Sequence, residues 1–202
     1  MKKPLNFRYS KHAAIAAVVL LFASAEAVLG QIKWLEDAST ANLPDSAVTG
    51  QMKGTGFSVK YGDIRKTGGL NFGSANEGFD HYTLRLGSGE SMLSSKFSVD
   101  VRVSIRKGER PYGRSFKTLL KAPKTGLPMP GWGVDEVTSL SMTNWPQGVG
   151  MMDSLSSGLE MPFAGRLILG ELKDNMIAAS LYFCFHDKLK SCVAGKIQVE
   201  AR

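Results

Sequence analysis

The sequence predicts an all-β chain: a single-domain antiparallel β-sandwich or jelly roll. Three observations predict it. Phe97, Val99, Val101, Val103 and Ile105 alternate without a break with Ser98, Asp100, Arg102 and Ser104. That is the period of a strand with one face on a core and the other toward water. Shorter apolar runs recur along the chain, punctuated by Gly, Pro, Asn and Asp. No helix-period stretch in the predicted domain reaches the length of an ordinary globular helix.

The elements follow in order. "MKKPLNFRYSKH" carries four basic residues and no acid; Ala13 to Ala23 is an apolar run of eleven; "SAEA" follows with small residues at alternate positions. This is the order of a secretory signal peptide, with cleavage predicted after Ala27 and Ala25 as the near alternative. Eleven apolar residues are too few to span a bilayer. Residues 28–46 read as a polar leader, with Trp34 and Leu35 as apolar residues able to dock on the body. The β-domain occupies residues 47–202. Its predicted strands are "SAVTGQMKG", "GFSVKYG", "HYTLRLG", "KFSVDVRVSIRKG", "RSFKTLL", "DEVTSLSM", "GRLILGEL", "MIAASLYFCF" and "VAGKIQVEA". Asp174 and Asn175 in "KDN" suit a tight turn. "KAPKTGLPMPGWG" reads as a long loop.

Export also changes the charge. Residues 1–27 hold four of the 25 Lys/Arg and one of the 18 Asp/Glu, which leaves 21 against 17, a net charge of +4. Such an excess is ordinary solubility charge and argues against a nucleic-acid partner. About 175 residues remain, enough to build a core without a metal or other cofactor. No later segment is apolar enough to cross a membrane as a helix. The predicted location is secreted or periplasmic.

Both cysteines lie in "SLYFCFHDKLKSC". A hairpin at "HDKLKS" puts Cys184 and Cys192 at mirrored positions, and an exported chain meets an oxidising compartment. An intramolecular disulfide is predicted. The competing readings are a metal site from Cys184, His186, Asp187 and Cys192, whose spacing matches no zinc pattern, and a thiolate nucleophile at Cys184 paired with His186 or His81.

The cadence "LILGEL", a short turn, then "MIAASLYFCFHDKLKSCVAGKIQVEA", together with "VTGQMKG" near the start of the domain, resembles uncharacterised secreted β-sandwich domains of environmental bacteria such as planctomycetes. The resemblance covers about 45 residues. It departs from the family pattern at Ala179, Ser180 and Cys192. It implies fold and export, and nothing about mechanism.

Among ligand candidates, Trp132, Trp145 and Tyr112 stand beside Gly, Pro or Asn, where rigid loops can present rings to sugars or a protein partner. "RKGERPYGRSFKTLLKAPK", with Tyr112 and Phe116 among its basic residues, has the composition of a surface for anionic polysaccharide, lipid headgroups or nucleic acid; a solvated strand–loop face is the stronger reading. Met129, Met142, Met151, Met152 and Met161 are irregularly spaced and read as packing. No "G-x-S-x-G" elbow is present, and no catalytic or metal-binding residue is assigned. The expected function is that of a non-catalytic exported domain, binding or structural, at the cell envelope or outside it. A polysaccharide is the sharper ligand and an envelope protein the other partner. The alternative is a secreted hydrolase assembled from Asp80, His81, Glu136 and Asp153.

Overall fold

The computed structural model describes residues 32–67, 78–118, 135–145, 153–156 and 162–202. The predicted signal peptide lies outside the described residues. The strands are β1 (Thr49–Met52), β2 (Thr55–Ser58), β3 (Tyr61–Thr67), β4 (Phe79–Gly87), β5 (Phe97–Arg106), β6 (Ser115–Thr118), β7 (Glu136–Asn144), β8 (Asp153–Ser156), β9 (Phe163–Leu169), β10 (Met176–Phe185) and β11 (Cys192–Ala201). Among the described residues, no helix is long and apolar enough to cross a membrane.

The predicted sandwich or jelly roll is corrected: the sheet closes into an eight-stranded barrel. Strand pairing runs β10-β9-β6-β7-β5-β4-β3-β11 and returns from β11 to β10. The ring has two antiparallel halves, β3-β4-β5-β7 and β6-β9-β10-β11. In a sandwich their borders would be free edges. Here they meet in two short parallel seams, Glu200 and Ala201 of β11 on Asp63 and Ile64 of β3, and Lys117 of β6 on Glu136 of β7. Both seams lie at one end of the barrel, called here the seam end. Toward the far end the same two edges take short inserted strands. β1, carrying β2, pairs β11 from Thr49↔Ala194 to Gln51↔Cys192, and β8 pairs β7 from Ser141↔Ser156 to Asn144↔Asp153.

The alternation read from β5 is real. Phe97, Val99, Val101, Val103 and Ile105 are all buried and join one core with Leu84, Leu86, Phe116, Leu140, Leu167, Leu181 and Phe183. Side chains of alternate residues thus fill the barrel, as expected at this strand number. Phe57 of β2 stacks on Phe97 at 5.0 Å and extends this core at the far end. Asp174 and Asn175 form the predicted tight turn with φ of 51° and 62°. It is closed by reciprocal Lys173–Met176 backbone bonds of 2.9 and 2.8 Å. At Gly165 a Cβ would lie 1.8 Å from the Phe183 ring, so only glycine admits that ring at this pairing. At Gly195, with φ of 135°, a Cβ would lie 2.6 Å from the Ala47 carbonyl oxygen, and the absent side chain lets β11 meet the approach to β1.

Trp34 and Leu35 dock on the body as expected, and residues 32–43 dock with them. They form a strap over the outer face of β9, β10 and β11, with a short 3-10 turn at Ala38–Thr40 capped by Asp37. Ile32, Trp34, Leu35, Ala38, Ala41 and Leu43 cover Ala164, Tyr182, Cys184, Cys192 and Ala194 in a second, smaller core.

Candidate binding site at the barrel mouth

Tyr82 lies on the inward side of β4, in line with Leu84 and Leu86 and opposite Val103. It is partly buried at the seam end. Tyr112, on the β5–β6 connection, is partly buried against the same core, with Leu172, Ile197 and Ala201. Burial pushes the Tyr82 hydroxyl above its ordinary pKa; the Lys66 and Arg110 charges pull the other way and the Tyr112 hydroxyl adds to the rise. Tyr82 and Tyr112 thus lie on one core at the same end of the barrel.

The connection carrying Tyr112 is held at both ends. Asp80 accepts the Gly108 N–H at 2.9 Å and pairs with Lys66 at 2.8 Å. The bond from Lys66, then that from Gly108, lowers the Asp80 carboxyl pKa. Arg114 donates to Asp135 at 2.9 Å and to Glu109 at 2.6 Å, and the Gly113 N–H donates to Gly170 O at 3.0 Å. Lys107 and Arg110 are exposed on this braced loop. Phenol rings can stack on a sugar ring, and cations beside them can pair with a carboxylate or sulfate on it.

Trp145 is 51% exposed, and its N–H donates to Lys96 O at 2.7 Å, next to the start of β5. Tyr112 follows the end of β5. The ten residues of β5 separate them, roughly 30 Å at ~3.3 Å per residue, so the structure does not bring the two together. Trp132 lies outside the described residues, as do Met129, Met151, Met152 and Met161; Met142 is buried in the core. Comparison with protein-family models, with curated proteins and with solved structures finds no match to this chain.

Cys184 and Cys192 are disulfide-bonded and directly opposed across the β10–β11 pair. Both are fully buried beneath the strap. This bears out the predicted pairing and removes the thiolates that the metal and nucleophile readings need. The neighbouring polar groups have structural tasks instead. Asp187 accepts from the Ser191 N–H at 2.7 Å and hydroxyl at 2.8 Å, and His186 Nε2 bonds the Glu36 carbonyl at 2.7 Å. Trp34 Nε1 donates to Phe185 O at 2.8 Å, and the Tyr182 hydroxyl donates to Lys33 O. Among the described residues, no three His, Cys, Asp or Glu side chains form a metal-holding group.

The hydrolase set is only partly brought together: His81 and Glu136 each pair with the buried Ser104, from either side, in one cross-strand row, while Asp80 and Asp153 lie apart from that row. Asp80 and His81 are consecutive on β4 and so point to opposite faces. Asp80 faces inward at the mouth and His81 outward. Glu136 starts β7 at the seam end, whereas Asp153 pairs Asn144 at the far end. His81 is buried with an unpartnered Nδ1 among the described residues, and burial, then the Arg102 charge, lowers its pKa. The same outer face carries Asp63, fully buried, which accepts from Arg85 Nε at 2.9 Å, from Arg85 Nη2 at 2.6 Å and from the Tyr61 hydroxyl at 2.6 Å. Burial raises its pKa, but the Arg85 and Tyr61 bonds outweigh it and the net shift is downward.

Sequence reasoning missed Tyr82 and Lys66. The signal for Tyr82 was present: it continues the inward row of Leu84 and Leu86 in "HYTLRLG". Lys66 sits in "DIRKT", where Asp63, Arg65 and Lys66 obscure the strand.

Proposed function

We propose that this chain is an exported, non-catalytic β-barrel domain that acts at the cell envelope or outside the cell by binding an anionic polysaccharide at its mouth. The observation that carries the ligand is the placement of Tyr82 and Tyr112 on one core at the seam end, where Asp80 ties Lys66 to the connection that bears the exposed Lys107 and Arg110. Export is supported by the basic–apolar–small order of residues 1–27 and by the resemblance to secreted domains. A buried structural disulfide is consistent with an oxidising compartment. Asp80 on the opposite face and Asp153 at the far end leave the His81–Ser104–Glu136 row without the other two carboxylates of the hydrolase set, which favours binding over hydrolysis.

The test is a glycan array, followed by titration of the purified domain with sulfated, uronate-containing and neutral polysaccharides. Binding is expected for the first two, weakening as salt rises. Tyr112→Ala and Arg110→Ala should each weaken it at least about fivefold, the order of one stacking or charged contact. Parent-like affinity in both variants would refute the site. Glycan turnover that disappears in His81→Ala would overturn the non-catalytic reading.

A further inference from the structure

Three of the four large apolar side chains exposed among the described residues are gathered at the far end of the barrel: Leu93 at 102%, Leu189 at 54% and Trp145 at 51%. The fourth, Met176, begins β10 at the seam end. Leu93 and Leu189 sit at the tips of the β4–β5 and β10–β11 hairpins, and Trp145 follows β7 beside the first of these tips.

The leucines are displayed by built turns. Around Leu93, the Ser95 hydroxyl donates to Ser91 O at 2.6 Å and accepts the Gly89 N–H at 3.1 Å. The Ser94 hydroxyl donates to Ser91 O at 3.1 Å and accepts the Ser91 N–H at 3.0 Å. Around Leu189, Asp187 holds Ser191 through two bonds, its carbonyl accepts the Lys190 N–H at 3.1 Å, and Lys190 takes a φ of 56°. A leucine fixed at the crest of a rigid turn leaves no route to fold back onto its own barrel.

Lys96, Lys188 and Lys190 are exposed on the same two hairpins, with the Lys96 ammonium 5.9 Å from the Phe97 ring and the Lys190 ammonium 5.3 Å from the Trp34 ring. Glu90 is drawn to Lys60 at 3.5 Å and Asp187 is turned onto Ser191. Apolar tips, a flanking tryptophan and lysines on the same hairpins are the chemistry of a surface that dips into the headgroup–acyl boundary of an anionic membrane. We infer that the far end of the barrel seats on a lipid surface bearing anionic headgroups, with Leu93 and Leu189 inserted and Trp145 at the boundary.

Sedimentation with vesicles tests this. The domain should co-sediment with phosphatidylcholine vesicles carrying a third phosphatidylglycerol, much less with phosphatidylcholine alone, and less again at high salt. Leu93→Asp/Leu189→Asp, two exposed substitutions that should leave the urea midpoint unchanged, is expected to weaken vesicle binding at least tenfold. Trp145→Ala should weaken it by a smaller factor. Mouth variants such as Tyr112→Ala should bind vesicles like the parent, so failure of the polysaccharide site and of this inference can be told apart. Absence of vesicle binding, or parent-like binding by the double variant, would overturn the inference. So would light scattering that shows a dimer lost in Leu93→Asp/Leu189→Asp without vesicle binding, since the patch would then meet a second copy.

Discussion

Removing the Cys184–Cys192 bond should lower stability by an amount the structure allows to be worked out. The bond spans a sequence separation of eight, and closing so short a loop limits the unfolded chain by about 2–3 kcal/mol in the chain-entropy account. Both residues are 0% exposed beneath the strap. Cys184→Ala/Cys192→Ala should therefore lose about 2–3 kcal/mol from the linkage, with a small addition for lost packing. The serine pair should lose more, because each buried hydroxyl left without a partner adds about 1–3 kcal/mol. For a domain of this size the alanine pair corresponds to a fall of about 5–10 °C in Tm. Urea unfolding followed by tryptophan fluorescence gives the free energy, and the slope should rise as the unfolded chain expands. The strap reports separately: trypsin should cut faster after Lys33 once the surface beneath Trp34 is altered. An alanine pair within about 0.5 kcal/mol of the parent would refute this reasoning. So would two free thiols in the denatured, unreduced parent.

Gly165→Ala should cost more than about 2 kcal/mol in urea unfolding, because the new methyl meets the Phe183 ring at 1.8 Å and the ring is walled in by the core. Val101→Asp places a carboxylate in the centre of the barrel and should abolish folding or cost more than about 4 kcal/mol, read by circular dichroism. Asp63→Asn should cost about 3 kcal/mol by leaving the Arg85 guanidinium half-partnered. Because the Asp63 pKa is lowered on folding, its contribution is present above about pH 4 and is lost as pH falls through the folded value; the variant should flatten that acid limb. His81 has the opposite charge logic: its lowered pKa means the unfolded chain takes up a proton below about pH 6.5 that the folded one resists. Stability should fall from pH 7 toward 5, and His81→Gln should reduce that slope.

Much of the strand content was legible because burial imposes alternation locally. Phe97 to Ile105 and the "KDN" turn needed only nearest-neighbour chemistry. Closure was not legible. A sandwich and a barrel ask the same alternation of each strand, and what distinguishes them is whether β3 finds β11 and β6 finds β7. The first of those pairings joins Asp63 to Glu200 and Ile64 to Ala201, residues whose sequence gives no sign of each other. β3 was blurred for a related reason: Asp63 and Arg85 satisfy each other on the outer face, so a charged residue is fully buried where composition suggests a loop. The disulfide was readable from spacing, and the docking of Trp34 and Leu35 was legible too, but not the strap that their neighbours complete above the bond. Its Trp34 and Leu35 contacts are with the outer face of a sheet that the alternation pattern assigns to solvent. At the mouth, Tyr112 stood out by its neighbours, whereas Tyr82 becomes a candidate only when the chain folds and the basic β5–β6 connection arrives beside it.

The two parallel seams set an order of assembly. Each antiparallel half can zip through hairpins and near neighbours, but neither half alone hides its edge strands. The ring shuts only when residues 200–202 reach β3, where the Arg202 N–H donates to Ile64 O at 2.9 Å, and when β6 meets β7. Until then, β3 and β7 are exposed strand edges of the kind that recruit other chains. Closure waits on contacts of very long sequence separation, which slows folding. Deleting residues 200–202 would therefore do more than fray an end: it would hold the molecule in an open, edge-bearing state. In the intact protein, amide exchange should find its weakest points along the β3–β11 and β6–β7 borders, with both halves still protected on either side.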